Sequence, residues 1–310
     1  MLRASLLWLS EQPRIFGFVR SNGLARRFAS RFVAGETVDT ALAALRELHA
    51  ARISASLDLL GESVANAAEA GAARDIYLEL LDRIHAGGAD ANVSVKLTQM
   101  GLDIDETLCV ANVRAILARA KQHGSFVRID MEGSAYTART LELFRRTLYP
   151  EFGNTVGVVL QSYLRRTAED VEEMIALGAR VRLCKGAYNE PARVAFPAKR
   201  DVDANYIACM ERLMDRGNYP GLATHDERMI AIAQAFAKIK RIDPSRYEFQ
   251  MLYGVRRDLQ HELREAGHQM RVYVPFGGHW YPYLMRRLAE RPANIGFIFG
   301  NVLKESLRRR

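Results

Sequence analysis

The stretch that decides the fold is VGVVLQ at residues 156–161, a β-branched and apolar run that ends on a polar residue and precedes a longer helical stretch. Seven similar runs occur at residues 53–59, 92–97, 126–130, 179–184, 221–223, 247–252 and 271–274. Short apolar runs that alternate with helical segments are typical of a parallel sheet with crossover helices. Eight such units in about 250 residues match the size of one barrel, so we predict an α/β fold, a (β/α)8 TIM barrel.

The helical segments show apolar residues three and four positions apart, as in Leu141, Phe144 and Leu148, with charged residues between them. A glycine follows many of these segments, where a left-handed C-cap is expected. These glycines are Gly87, Gly88, Gly124, Gly178, Gly217 and Gly267. We therefore predict one domain at residues 53–301, preceded by an N-terminal helical segment (1–52) packed on the barrel and followed by a basic tail (302–310).

Composition limits the class of protein. Of the 310 residues, 49% are hydrophobic and 26% are charged, which are ordinary globular values. The three cysteines are far apart and odd in number, which indicates reduced thiols of a cytoplasmic protein rather than a disulfide framework. No stretch approaches the roughly 20 apolar residues that a membrane-spanning helix needs.

Positive charge is concentrated at the two ends of the chain. The net charge is +8, and residues 1–33 carry six arginines against the single acid Glu11. Such a segment fits a helix packed under the barrel, contact with an acidic lipid surface or an organellar transit peptide, and we expect the packed helix. Peripheral contact with the inner face of the cell membrane stays open as an alternative.

Polar residues follow nearly every predicted strand. In barrel enzymes the chemistry lies at the carboxyl ends of the strands, so these residues are candidates for an active site. They are Glu62, Lys96, Asp130, Gln161, Arg182, Lys185, Thr224, His225, Gln250 and Tyr273. One such residue alone would more often be an ordinary group at the barrel rim, but the agreement of seven strands favours function.

The helix after the last strand adds a further candidate. Tyr283, Arg286, Arg287 and Glu290 occupy positions i, i+3, i+4 and i+7, which share one helix face. Two adjacent guanidiniums aimed into a barrel mouth would bind a carboxylate or phosphate. Glu62 and Glu290 are carboxylates that would hold one arginine when no ligand is bound.

Several common sites have no support in the sequence. It contains no dinucleotide fingerprint GxGxxG after a strand, no phosphate-binding GxxxxGK[ST] loop and no GxSxG elbow. It lacks HExxH, and its seven histidines do not have the spacing of metal ligands, so no metal site is predicted.

Four blocks in this order resemble the proline dehydrogenases, in particular the short monofunctional bacterial type. They are RLCKGAY (182–188), ATH (223–225), YEFQML (247–252) and YLMRRLAERP (283–292). The similarity spans residues 53–301. It implies a distorted (β/α)8 barrel that binds FAD, which explains a flavoenzyme without a dinucleotide fingerprint. The implied reaction is oxidation of L-proline to 1-pyrroline-5-carboxylate by hydride transfer to the flavin, with electrons passed to a membrane quinone.

The resemblance also assigns roles to residues. Asp130 and Arg182 are the implied catalytic residues. The substrate amine must lose a proton to a base or along a water path, and Asp130 is the best carboxylate candidate for that base. The implied substrate contacts are Lys96, Arg286 and Arg287 at the carboxylate, Tyr273, Tyr283, Tyr188 and Leu252 at the ring, and Glu62. The implied flavin contacts are Met131, Val159, Gln161, Arg182, Lys185, Gly186, Ala187, Thr224, His225, Gln250 and Glu290.

Three alternatives stay open at this point. Lys96 or Lys185 at a strand end would suit a Schiff-base lyase or aldolase. The positive charge permits a nucleic-acid-binding scaffold, although the basic residues do not form a stripe interleaved with aromatics, so we predict no nucleic-acid partner. Within the oxidoreductase hypothesis, hydroxyproline is an alternative substrate, because one hydroxyl group alters only a few ring contacts.

Overall fold

The computed structural model describes residues 29–290, with side chains described as far as Met285. Its strands are β1 Ser54–Leu59, β2 Ala91–Val95, β3 Val127–Ile129, β4 Val156–Gln161, β5 Arg180–Cys184, β6 Gly221–Ala223, β7 Glu248–Leu252 and β8 Gln269–Phe276. They are hydrogen-bonded in sequence order, and β8 pairs in parallel with β1 to close the barrel. The predicted (β/α)8 barrel is confirmed, and each of the eight predicted runs overlaps one strand, although β2 and β8 extend beyond their runs.

Helices surround the barrel. In chain order they are α1 Val38–Ala50, α2 Ala67–Gly87, α3 Glu106–Gln122, α4 Ser134–Leu143, α5 Tyr149–Phe152, α6 Thr167–Leu177, α7 Lys199–Arg216, α8 Glu227–Lys240, α9 Arg257–Glu265 and α10 Trp280–Glu290. A short π-helix at Phe144–Leu148 joins α4 to α5. Leu141, Phe144 and Leu148 are all buried along this run, which confirms the helix face that their spacing predicts.

The predicted glycine stops are confirmed at some helix ends and wrong at one. Gly88 and Gly178 are left-handed C-caps with φ of 63° and 73°. Gly217 has φ −81° and is extended, so the expectation of a left-handed cap there is wrong. Glycine is needed here because there is no room for a side chain: a Cβ at Gly217 would lie 2.5 Å from the carbonyl oxygen of Leu213.

The described residues include no helix that is both long and apolar enough to cross a membrane. Cys109, Cys184 and Cys209 are free thiols. Residues 1–28 and the predicted tail at 302–310 lie outside the described residues, so the predicted domain boundaries stay predictions.

Residues 29–36, here called the strap, lie across the carboxyl ends of β1 and β8. The amide of Ala34 donates to the carbonyl oxygen of Pro275 at 2.8 Å, and the indole Nε1 of Trp280 donates to Glu36 at 2.9 Å. The strap and α10 share a buried apolar cluster that includes Phe32, Val33, Leu60, Trp280 and Leu284. The strap therefore holds the start of α10 against the barrel, although these two segments are far apart in sequence.

The inside of the barrel is filled by polar side chains, where most barrels of this type contain branched apolar ones. These buried residues include Ser56, Ser94, Arg128, Arg182, Glu248, Gln250 and Arg271. The residues that alternate with them, such as Leu57, Val93 and Val181, belong to the main apolar core, which lies between the strands and the helices. The hydrophobic core thus supports the barrel from outside and leaves its interior for polar contacts.

The packing around β4 gives a test of this arrangement. A Cβ at Gly157 would lie 2.4 Å from the carbonyl oxygen of Arg180 and 2.7 Å from a guanidinium nitrogen of Arg128. Because overpacking a buried site costs about 1–3 kcal/mol, Gly157→Ala should lower the free energy of unfolding by that amount in urea titrations. Gly87→Ala is the control, since its Cβ would meet nothing within 4 Å and alanine favours a helix over glycine. Equal stability of the two variants would contradict the packing described.

Candidate active site

Arg182, on β5, is the centre of a polar cluster inside the barrel. Its guanidinium donates to Asp130 at 2.8 Å, to Gln250 at 2.5 Å, to Ser94 at 3.2 Å and to Ser56 at 3.3 Å. These partners come from β1, β2, β7 and the residue after β3, so four different parts of the barrel fix one side chain. The side chain of Arg182 is only 7% exposed.

Lys96 and Tyr273 complete this cluster. The phenol of Tyr273 donates to the second carboxylate oxygen of Asp130 at 2.8 Å. The ammonium of Lys96 lies 3.8 Å from that oxygen and 2.7 Å from Asp58, on β1. The structure therefore brings together five residues that the sequence nominated separately, together with Asp58, which it did not nominate.

Burial and charge together set the protonation of the Lys96 and Asp58 pair. Burial acts to lower the pKa of Lys96, but Asp58 and Asp130 outweigh it, and the pKa lies well above 10.5. Burial raises the pKa of Asp58 to about 6, against the opposing effect of Lys96. Lys96 is thus an ammonium at neutral pH, whereas a Schiff-base nucleophile must be a neutral amine. Lys96 therefore does not suit the Schiff-base lyase or aldolase hypothesis.

Lys185 forms a second group of charges beyond β5. Its ammonium donates to Asp203, on α7, at 2.6 Å and to Asp226, after β6, at 2.9 Å, and Lys199 also pairs with Asp203. Burial alone would raise the pKa of both aspartates, but their bonds to Lys185 hold both pKa values below the ordinary range. Within the part of the chain that the structure describes, no three His, Cys, Asp or Glu side chains converge as metal ligands.

Gln161, at the end of β4, has an unused hydrogen-bonding atom. Its amide nitrogen donates to the carbonyl oxygen of Met131 at 3.1 Å, but its Oε1 is buried without a partner among the described residues. Val159 is buried two positions earlier on the same strand. A buried acceptor without a partner is costly, so this position suits a ligand that carries an N–H donor.

Glycine is required at position 186. Gly186 has φ 101°, and a Cβ there would lie 2.3 Å from the ring of Tyr163. The backbone from Lys185 to Ala187 therefore passes directly against an aromatic ring. Residues 185–187 are half-buried beside the end of β5.

A hydrogen bond joins the segment after β6 to the end of β7. The amide of Leu252 donates to His225 Nε2 at 2.9 Å, and the amide of Asp226 donates to Thr224 Oγ1 at 3.1 Å. These bonds fix the orientation of the residues that follow both strands. Leu252 is half-buried at the end of β7.

The remaining predicted residues lie in other surroundings. Tyr188 packs beside Tyr163 in a small cluster of its own, Tyr283 is buried in the cluster shared with the strap, and Glu62 is half-buried after β1. The side chains of Arg286, Arg287 and Glu290 lie outside the described residues. The guanidinium clamp therefore stays a prediction.

Two carboxylates of the site, Asp58 and Asp203, and the buried Glu248 below it were not predicted. Asp58 was detectable, because Ser54, Ser56 and Asp58 place polar groups at every second position of β1 and so on one face. The same alternation of Glu248 and Gln250 on β7 indicates a second polar pair. Asp203 lies on a helix and meets Lys185 only through the tertiary fold, so no local pattern reveals it.

Comparisons with known proteins agree on one family. The family model described as Proline dehydrogenase matches residues 41–299. Proline dehydrogenase 1 of Bacillus subtilis subsp. natto is 41% identical, with 98% of this chain and 100% of that protein covered. Proline dehydrogenase of Deinococcus radiodurans is 42% identical, with 98% of each covered.

A solved structure agrees as well. Proline utilization A of Bdellovibrio bacteriovorus, inactivated by N-propargylglycine, superposes with a TM-score of 0.81 at 28% identity and covers 89% of this chain. The chain spans 34% of that longer protein. The match to the family model and the full-length similarity to short relatives lead to one conclusion: the chain belongs to the proline dehydrogenase family of oxidoreductases.

Proposed function

We propose that the protein oxidises L-proline to 1-pyrroline-5-carboxylate with FAD as its cofactor and passes the electrons to a membrane quinone. The observation that carries the proposal is the cluster in which Lys96, Asp130, Arg182 and Tyr273 meet inside the barrel. It brings two cations, Lys96 and Arg182, to the carboxylate of Asp130 inside the barrel. Membership of the family supports the choice of proline as substrate.

The residues present fit FAD. The unpartnered Oε1 of Gln161 matches the N–H donor of an isoalloxazine ring, and the half-buried residues 185–187 would approach its polar edge. A cavity of about 310 Å³ beside Asp203 is lined by Lys199, Arg200 and Arg228, whose charges suit phosphate. The other residues that would hold FAD are Met131, Val159, Arg182, Lys185, Thr224, His225, Gln250 and Glu290. When bound, FAD supplies the hydride acceptor.

The substrate carboxylate is assigned to Lys96, Arg286 and Arg287. Each bond from these cations to a carboxylate oxygen is charge-assisted, and Lys96 is held in place by Asp58 at 2.7 Å. Tyr273, Tyr283, Tyr188 and Leu252 are assigned to the ring, and Glu62 to holding one of the arginines. The hydrogen bond from the Tyr273 phenol to Asp130, at 2.8 Å, supports the assignment of Tyr273 to the same site.

Asp130 is assigned to the amine proton. The imine product forms only if the nitrogen first loses its extra proton, so a nearby acceptor is required. Both oxygens of Asp130 are aligned, one by Arg182 and one by Tyr273. Fixed cations such as Arg182 and Lys185 would stabilise negative charge that develops on the cofactor side.

The quinone and the membrane contact rest on the family resemblance and on the basic ends of the chain. Residues 1–28 and 302–310, which carry most of this charge, are outside the described part. Binding of the purified protein to vesicles with and without anionic lipid would test the contact directly.

The function is tested by a spectrum. The purified protein should be yellow, and its flavin absorbance should bleach when L-proline is added without oxygen. Bleaching by proline and not by an unrelated amino acid would support the proposal. A colourless protein that borohydride links covalently to a carbonyl substrate would overturn it in favour of a Schiff-base enzyme.

Arg287→Met tests the carboxylate clamp. Loss of a charge-assisted contact in a desolvated site costs about 2–5 kcal/mol, so the KM for proline should rise steeply while bound flavin, measured by absorbance, stays unchanged. Arg146→Met is the control, because Arg146 is an exposed arginine with its side chain 76% accessible. An unchanged KM in Arg287→Met would show that the clamp is misassigned.

Lys96→Met tests the ion pair through pH. Without the ammonium, the pKa of Asp58 should rise above its value of about 6, and the buried carboxylate should become harder to ionise. The folded protein then keeps a proton that the unfolded chain has lost, so stability falls as pH rises, by at most about 1.4 kcal/mol per unit. In the wild type the raised pKa of Lys96 contributes an amount of stability that does not change with pH below about pH 10.

The expected result is that the stability of Lys96→Met falls further below that of the wild type between about pH 6 and pH 8. The measurement is thermal melting at several pH values. In the double variant Lys96→Met/Asp58→Asn the gap should no longer widen. A gap in Lys96→Met that is independent of pH would show that Asp58 is not the titrating partner.

A further inference from the structure

Glu248 is a buried carboxylate one layer below the proposed site. It lies on β7 and is 2% exposed. Arg271 Nε donates to both of its oxygens at 3.0 Å, Gln250 Nε2 donates to one at 2.5 Å, and the phenol of Tyr219 donates to the other at 3.2 Å. The proposed function gives this residue no role.

The bond between Glu248 and Gln250 fixes the orientation of the Gln250 amide. A carboxylate only accepts hydrogen bonds, so the NH₂ group of Gln250 must face Glu248 and its oxygen must face away. That oxygen accepts from Arg182 Nε at 2.5 Å. If the amide turned over, two donors would meet at Arg182 and two acceptors would meet at Glu248. Each buried mismatch would be costly.

We propose that Glu248 is a positioning residue for Arg182, acting through the amide of Gln250. This inference rests on the proposed function, in which Arg182 acts beside the cofactor. Glu248 sets the direction of one amide, and that amide supplies the acceptor that fixes the Nε edge of the guanidinium. Ser56, Ser94 and Asp130 bind only the two terminal nitrogens.

The charge state of Glu248 suits this role. Burial acts to raise its pKa, but Arg271 outweighs that effect, and the pKa lies below its ordinary value. Glu248 therefore stays an acceptor over the pH range in which the enzyme would work. A neutral carboxyl or amide at this position would offer Gln250 a donor as well as an acceptor and would lose the preference.

A simpler role would be to neutralise Arg271, and the two roles make different predictions. Glu248→Gln removes both the charge and the preference for one amide orientation. Glu248→Asp keeps the charge near Arg271 but shortens the side chain by one methylene, which draws it away from Gln250. Tyr219→Phe is the matched control, because it removes one bond to Glu248 and leaves the Gln250 bond in place.

The experiment uses the FAD-loaded protein and measures kcat, KM, the midpoint potential of the bound flavin and the melting temperature. In Glu248→Gln, kcat should fall about 10- to 100-fold with a much smaller change in KM, because a displaced catalytic group costs about that much. The flavin potential should become more negative as the Arg182 cation loses its fixed position. Glu248→Asp should show the same changes in reduced size, and Tyr219→Phe should match the wild type.

The inference is overturned if both Glu248 variants keep the kcat and the flavin potential of Tyr219→Phe. It is also overturned if Glu248→Asp behaves as the wild type while Glu248→Gln loses only thermal stability, since that pattern belongs to charge neutralisation. If Glu248→Gln does not fold, Glu248→Asp alone decides. A wild-type protein that proline does not reduce would refute the proposed function, and the flavin potential would still report on Glu248.

Discussion

A buried guanidinium imposes the main constraint on this barrel. Moving a cation out of water is costly unless acceptors or a carboxylate surround it. Arg182 meets this requirement with Asp130, Gln250, Ser94 and Ser56, which come from both sides of the barrel. The polar interior is a consequence, because each of these partners needs partners of its own. Glu248 and Arg271 extend the chain of contacts towards the other end of the strands.

The two lysines of the site have charges that their carboxylates already balance. Lys96 is paired with Asp58, and Lys185 with Asp203 and Asp226, so neither needs a bound anion to stay protonated. A site built in this way is preorganised, since its charges do not have to move into place when a ligand arrives. The apolar core outside the strands carries the packing. Stability and chemistry are thus separated onto the two faces of the same strands.

The fold was predictable from sequence because eight apolar runs of strand length alternate with helical periods, and closure of the barrel needs no further information. The polar residues near the strand ends were predictable for the same reason, as Lys96 and Asp130 follow their strands, although Arg182 lies in the middle of β5. Their partners were harder to find. Asp58 is visible only in the alternation of β1, and Asp203 reaches Lys185 from α7 across the fold. Gly217 shows a further limit, since steric contact with Leu213, and not a left-handed turn, explains the glycine.

The strap, which is the first described segment of the chain, contacts the last described helix, α10. Ala34 bonds to Pro275, Glu36 bonds to Trp280, and Phe32 packs in the cluster that also holds Leu284. The bond between Trp280 and Glu36 thus joins residues 244 positions apart, and it cannot form until α10 has been made. During synthesis the strap emerges well before α10 and remains without this partner while the strands of the barrel are made. The α10 side of the barrel mouth is therefore completed only after β8, and a chain that stopped before Trp280 would lack the helix that borders it.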